Sequence, residues 1–366
     1  MAGDVAKLLA DLVAIDSINP DLVQGAAGET ELAHFVADWC RRAGLEVETE
    51  EAASRRPNVI ATAHGSGGGR SLLLNAHMDT VGVAGMDAPF AARVADGRLY
   101  GRGAYDMKCG LAAIMLAASR AQKSGLAGDV IMTAVCDEEV ASIGTAAIVK
   151  TRHADAAIVA EPTEERVCIA HKGFVAWEIE TVGRAAHGSR PDLGVDAIAR
   201  MGGVLVALEK LDRRLQAGQA HPLLGRGSVH ASLIEGGQEY SSYPARCLLV
   251  GERRTIPGET LETVAREVRE LLGGVEGSSR VRLSRVPFET APEEPIVEVV
   301  RGLARATDLI GVGFWADSAL LSAAGIPTVL FGPSGEGAHA VVEWVDLASV
   351  ERCAALYLAA AESFCA

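Results

Sequence analysis

A histidine and an aspartate, His77 and Asp79, end the apolar run SLLLNAHMDT; two residues apart on an extended chain, they lie on one side of it. Other short stretches carry similar groups. GRGAYDMKCG offers Asp106 at the mouth of a helix, CDEE brings Glu138 and Glu139 to the end of VIMTAV, AEP supplies Glu161, and FGPSGEGAHAVVE presents His339 after a glycine-rich bend. Two imidazoles and three carboxylates make a nitrogen and oxygen set that suits Zn2+ or a similar first-row dication. Five ligands exceed what one tetrahedral catalytic zinc needs, so His77, Asp106, Glu139, Glu161 and His339 fit two metals about 3.5 to 4 Å apart that share one carboxylate. Glu138 is then free to take a proton from the activated water, and Asp79 is left beside His77. Neighbouring acids support a cation here: two unit charges about 4 Å apart repel by roughly 4 kcal/mol at an effective dielectric of 20, so Asp137, Glu138 and Glu139 need a positive neighbour. The bend's glycines, Gly332, Gly335 and Gly337, would let bare backbone N–H groups approach a substrate anion while aiming His339 inward.

These residues must be positioned by the elements around them. Helical spacing joins Val5, Leu8, Leu9, Leu12 and Val13, then Leu32, Phe35, Val36 and Trp39, and predicts a further helix over 107–122. Strand-like runs stand between and after them: LEVETEE, NVIATA, SLLLNAH, VIMTAVC and AAIVAEP. Alternating helices and strands predict an α/β layer with a parallel or mixed sheet, whose carboxyl strand ends bind ligands. From about residue 174 the grammar changes to a βαββαβ order with half-exposed strands such as FVAWEIETV, the pattern of a compact two-layer α+β domain. After ETAPEEP the α/β pattern resumes, with a short helix at DSALLSAAG that Asp317 should cap. The expected architecture is a discontinuous α/β domain, residues 1–173 and 288–366, interrupted by an insert at 174–287. A chain of 366 residues has room for two domains.

Composition narrows the function classes. A net charge of −14 argues against nucleic acid and anionic membrane surfaces, which need a basic footprint. No apolar stretch approaches the roughly 18 residues of a membrane span, and the first residues lack a signal-peptide pattern. Seven cysteines form no CxxC pair, which points to reduced thiols and a cytoplasmic location. His34, His64, His153, His221 and His230 are taken as structural, while His171, in IAHKG, stays open between a structural and a functional role.

The ordered motifs HMDT, GRGAYDMK, CDEE, AEP, GRAAHGS, ERRTIPGE and GEGAHA resemble the M20 metallopeptidase family, closest to its acetylornithine deacetylase and succinyl-diaminopimelate desuccinylase group. The resemblance implies an α/β/α zinc-peptidase-like catalytic domain with two Zn2+, or Co2+ or Mn2+, and an inserted lid and dimerisation domain. It implies that Asp106 bridges the metals, that His77 and Glu161 complete one site, and that Glu139 and His339 complete the other. Asp79 would orient His77, and Glu138 would be the general base. In the insert, His187 resembles a lid histidine that polarises the scissile carbonyl from a partner subunit, and Arg254 an arginine that grips the substrate carboxylate. Ser241 in SSYP stands where many members have asparagine, and Cys109 where the motif commonly has glycine. The implied activity is removal of an acyl group from an N-acyl amino acid by a homodimer. Two alternatives remain: an M20 dipeptidase or glutamate-type carboxypeptidase acting on a peptide bond, and a catalytically inactive metal-binding regulator, which would have no need of an unliganded base at Glu138.

Overall fold

The computed structural model describes residues 2–366; Met1, where the expected catalytic domain begins, lies outside them. Two compact units result. One takes the chain to Ile169 and resumes over Thr290–Ile310 and Ala316–Ala366; the other comprises Ala170–Glu289 and Gly311–Trp315.

In the first unit the central sheet runs in the order Glu46–Ala53, Arg56–Ala63, Val130–Val135, Leu72–His77, Ala156–Val159 and Thr328–Leu330, and Cys168 pairs beyond with Leu330. The last four of these strands are mutually parallel. Every residue in them is buried, as strands rich in Leu, Ile and Val must be when helices cover both faces. One group of helices, Ala2–Val13, Lys108–Ala121, Pro295–Ala304 and Leu347–Phe364, packs together. Helix Lys108–Ala121 is buried almost throughout because Gly110 and five alanines let it approach its neighbours closely while Leu111, Ile114 and Met115 fill the gaps. Each such large side chain contributes about 1.5–3 kcal/mol when fully buried. Parallel strands bring their carboxyl ends to one edge. There the chain delivers His77, the turn after Val135, the loop after Val159 and the loop after Leu330.

A helix that the sequence did not announce, Ile143–Thr151, follows the acidic turn and packs on Ser318–Ala323. The expected cap on that second helix is corrected: Asp317 makes no side-chain capping bond, because its carboxylate accepts from Thr145 Oγ1 at 2.6 Å instead.

The second unit is an antiparallel sheet in the order Ser228–Gly236, Arg246–Thr255, Gly173–Val182 and Gly277–Arg285. Trp177, Ile179, Val229 and Leu249 share a core with Met201, Val204 and Leu208 of helix Ala197–Ala217 and with Val264 and Val268 of helix Leu261–Glu270. Asp196 and Thr260 start those helices by accepting from Ala199 N and Thr263 N. Among the described residues, no helix is long and apolar enough to cross a membrane.

Candidate metal centre

The carboxyl edge of the parallel strands gathers the acids and imidazoles that the sequence scatters. Asp106 stands between two rings, with Oδ1 3.3 Å from His77 Nε2 and Oδ2 3.3 Å from His339 Nε2. Glu161 Oε1 lies 3.8 Å from His77 Nε2, and Glu139 Oε2 lies 3.1 Å from His339 Nε2. Each imidazole thus faces one oxygen of Asp106 and one glutamate. Glu138 joins the group: ligand atoms of His77, Glu138 and Glu161 lie within 4.8 Å of one another, as do those of His77, Asp106 and Glu139.

Main-chain geometry sets these directions. His77 Nδ1 is 2.9 Å from the backbone oxygen of Asp79, which leaves Nε2 turned to the acids. The Asp79 carboxylate accepts from Glu138 N at 3.0 Å and from Glu139 N at 3.1 Å, so one buried acid fixes the turn that carries both glutamates. His339 adopts a left-handed conformation, φ +61°, two residues after Gly337 at φ +94°. A Cβ at Gly337 would lie 1.9 Å from Val342 O, so the bend that presents His339 requires glycine.

Charges respond to this crowding. Burial opposes a charge on His77, yet the Asp106 hydrogen bond and the charges of Glu161, Asp79 and Glu138 outweigh it and hold its pKa well above the ordinary value. Hydrogen bonds to Asp106 and Glu139 push His339 up to about 10. Burial lifts Glu138 and Glu161 well above the usual carboxylate range, against the opposing pull of His77. For Asp106, burial is outweighed by the two imidazoles, and its pKa falls below the usual range. Carboxylates crowded in this way need positive charge beside them, which protons or divalent cations can supply. One atom favours cations: Glu139 Oε1 is buried with no hydrogen-bond partner. A buried carboxylate oxygen without a donor is costly, whereas as a ligand atom it is satisfied. Two nitrogens and several carboxylate oxygens fit first-row divalent metals.

The profile of peptidase family M20/M25/M40 matches residues 73–363. The chain belongs to this family. An acetylornithine deacetylase of Myxococcus xanthus is 33% identical over 384 residues, covering 98% of this chain and 96% of that protein. Among solved structures, a tripeptidase from Staphylococcus aureus superposes with a TM-score of 0.82 at 21% identity, covering 100% and 99% of the two chains. A dinuclear metal binding peptidase of family M20 from Bacillus subtilis gives 0.74 at 16% identity, covering 98% and 97%. As an M20 protein the chain is a metal-dependent amidohydrolase built on the fold described above.

Three of the sequence-predicted M20 residues lie in the second unit. His187 is exposed and its Nδ1 is 2.8 Å from Ser189 Oγ. Arg254 lies over the Phe174 ring, 5.1 Å from its centroid, and its Nε donates to Glu252 at 2.5 Å. Ser241 accepts from Gly188 N through its backbone oxygen at 2.6 Å. Two of the three glycines in the bend have N–H groups engaged within the chain. Gly332 N–H donates to Thr163 Oγ1 at 3.0 Å and Gly335 N–H to Glu164 Oε1 at 3.3 Å, so chain contacts already use both. At Gly332 the need is space, since a Cβ would meet Glu161 O at 2.1 Å.

Two acids of the centre were not selected from the sequence. Asp317 is buried, its pKa lifted by that burial to about 6, and its charge bears on Glu138 and Glu161. Glu343 is buried against Arg102 and accepts from Tyr105 N at 2.9 Å and Asp106 N at 3.0 Å, so it holds the Asp106 backbone. Asp317 showed in the sequence only as a helix cap, and Glu343 only as an acid between Val342 and Trp344.

Proposed function

We propose that the chain is a dizinc amide hydrolase that removes the acyl group from an N-acyl amino acid. The observation that carries this is Asp106, one carboxylate with an oxygen 3.3 Å from each of two imidazoles. His77 and Glu161 would hold one Zn2+, His339 and Glu139 the other, with Asp106 between them; Co2+ or Mn2+ suits the same donors. When bound, the metals would lower the pKa of a water and polarise the substrate carbonyl.

Glu138 then receives the proton of the attacking water at its carboxylate and returns it to the amine nitrogen as the C–N bond breaks. Its burial among acids supports this role, because a raised pKa lets it hold the proton between the two transfers. Asp79 keeps His77 in the required tautomer. His187 would donate to the carbonyl oxygen as negative charge develops there, Arg254 would pair with the substrate carboxylate, and Ser241 would line the substrate path. The name of the Myxococcus xanthus relative, acetylornithine deacetylase, supports an N-acyl amino acid as substrate.

We further propose a homodimer formed through the second unit. Strand Ser228–Gly236 is the edge of its sheet and exposes Leu233 and Ile234, and an open apolar edge favours pairing with a second copy. Seven cysteines with no CxxC pair among them support residence in the reducing cytoplasm. The test is a panel of N-acetyl amino acids and dipeptides offered to the zinc-loaded protein. Release of acetate from the N-acetyl substrates is expected. Cleavage of dipeptides alone would move the activity to peptide bonds, and no cleavage of either would overturn the proposal.

A further inference from the structure

Behind the metal cluster lies a second buried group of polar side chains. Asn19, Glu29, Asp79 and Asp137 are fully or almost fully buried, and Arg56 is 6% exposed. They come from five distant places: the segment after the first helix, the start of helix Thr30–Arg42, the first residue of strand Arg56–Ala63, and the two strand ends that carry His77 and the glutamates. A buried charge cluster costs free energy unless every member is paired. Here the pairing is specific.

Asn19 uses both hydrogens of one amide, donating from Nδ2 to Asp79 Oδ2 at 2.8 Å and to Asp137 Oδ1 at 2.9 Å. Its Oδ1 accepts from Asp21 N at 2.9 Å, which fixes the orientation of the amide. The backbone of the same segment is laced to the His77 strand end: Asn19 N donates to Thr80 O at 2.9 Å and Ser17 Oγ to Met78 O at 2.8 Å. Arg56 supplies the positive charge. Its Nε and Nη2 grip the two oxygens of Glu29 at 2.9 and 2.8 Å, Nη2 also reaches Asp137 Oδ1 at 2.8 Å, and Nη1 reaches Asp21 at 2.7 Å.

Asp137 is the first acid of the acidic turn, held at φ +67°. Non-glycine residues adopt that conformation only when their surroundings impose it. Its N–H donates to Glu29 Oε1 at 3.2 Å, so Glu29 binds the Asp137 backbone while Arg56 binds its side chain. The consequence is a sorting of three consecutive acids. Asp137 faces Arg56 and Asn19, while Glu138 and Glu139 join the candidate ligands with their N–H groups on Asp79.

We propose that Asn19 and Arg56 are positioning residues for the acidic turn: Asn19 locks Asp79 to Asp137, and Arg56 holds Asp137 out of the metal cluster. This rests on the dizinc proposal above. Losing support behind metal ligands costs roughly 10- to 100-fold in metal affinity or activity. Asn19→Ala and Arg56→Lys test it, the lysine keeping the charge while losing the fork that spans Glu29 and Asp137. Both variants and the parent protein are titrated with Co2+, and visible absorption, kcat and KM are measured on the N-acetyl substrate the parent cleaves. The expected result is a kcat lower by roughly 10- to 100-fold, little change in KM, and an altered Co2+ spectrum. Parental kcat and spectrum in the variants, even with a lowered melting temperature, would reduce both residues to structural roles and overturn the proposal. If Asn19→Ala does not fold, Arg56→Lys decides by the same readouts. A parent protein that binds no Co2+ would instead overturn the dizinc proposal itself.

Discussion

Replacing Glu138 by glutamine separates two roles that its position allows. Its side chain shares a ligand-sized space with His77 and Glu161, so it could bind a metal or move a proton. The glutamine has the same shape, and the backbone anchor from residue 138 N to Asp79 Oδ1 at 3.0 Å does not involve the side chain. The five proposed ligands keep their contacts with one another. What disappears is a carboxylate whose burial tunes it to hold a proton. A positioned general base contributes about 10²- to 10⁴-fold to rate, or about 3–5 kcal/mol at the transition state. Glu138→Gln should therefore retain the parent's metal content by elemental analysis and lose at least roughly 100-fold in kcat on an N-acetyl amino acid. An unchanged kcat would refute the base assignment. A halved metal content would show that Glu138 is a ligand instead.

Arg102→Met should lower stability by about 3–5 kcal/mol in chemical denaturation, because it leaves the buried Glu343 carboxylate without its charge partner; a change within about 0.5 kcal/mol would contradict that pairing. Since Glu343 also holds the Asp106 backbone, the same variant should bind zinc more weakly. Gly332→Ala forces a methyl group against Glu161 O, 2.1 Å away, and should reduce activity at unchanged substrate affinity for any variant that folds; full activity would mean that the loop yields freely. Metal binding should release protons. The carboxylates beside His77 and His339 raise the pKa of both, His339 to about 10, so a cation competes with protons for the two rings. Affinity should fall as pH falls, and calorimetry in buffers of different ionisation enthalpy should detect proton release. A pH-independent affinity would contradict that competition.

Much of the centre was legible because its ligands end strands. An apolar run that stops at His77 or at Asp137-Glu138-Glu139 announces a sheet edge and the polar group placed there. Asp106 and His339 were readable from the helix start and glycine bend beside them. The supports were not. Asn19 lies 60 residues from Asp79 and 118 from Asp137, and Glu343 lies 237 from Asp106, so only the folded topology brings them together. Asp317 looked like a helix cap because acids before short helices usually are; burial and Thr145 gave its carboxylate another partner. Helix Ile143–Thr151 escaped notice because it buries only Gly144, Thr145 and Ile148, too few residues for a clear period.

Anomalous diffraction at the zinc edge, from crystals grown with Zn2+, addresses the pair of cations directly. Two peaks are expected about 3.5–4 Å apart, one beside His77 and Glu161, the other beside His339 and Glu139, with Asp106 between them. A single peak, or none in reach of Asp106, would contradict the dinuclear centre.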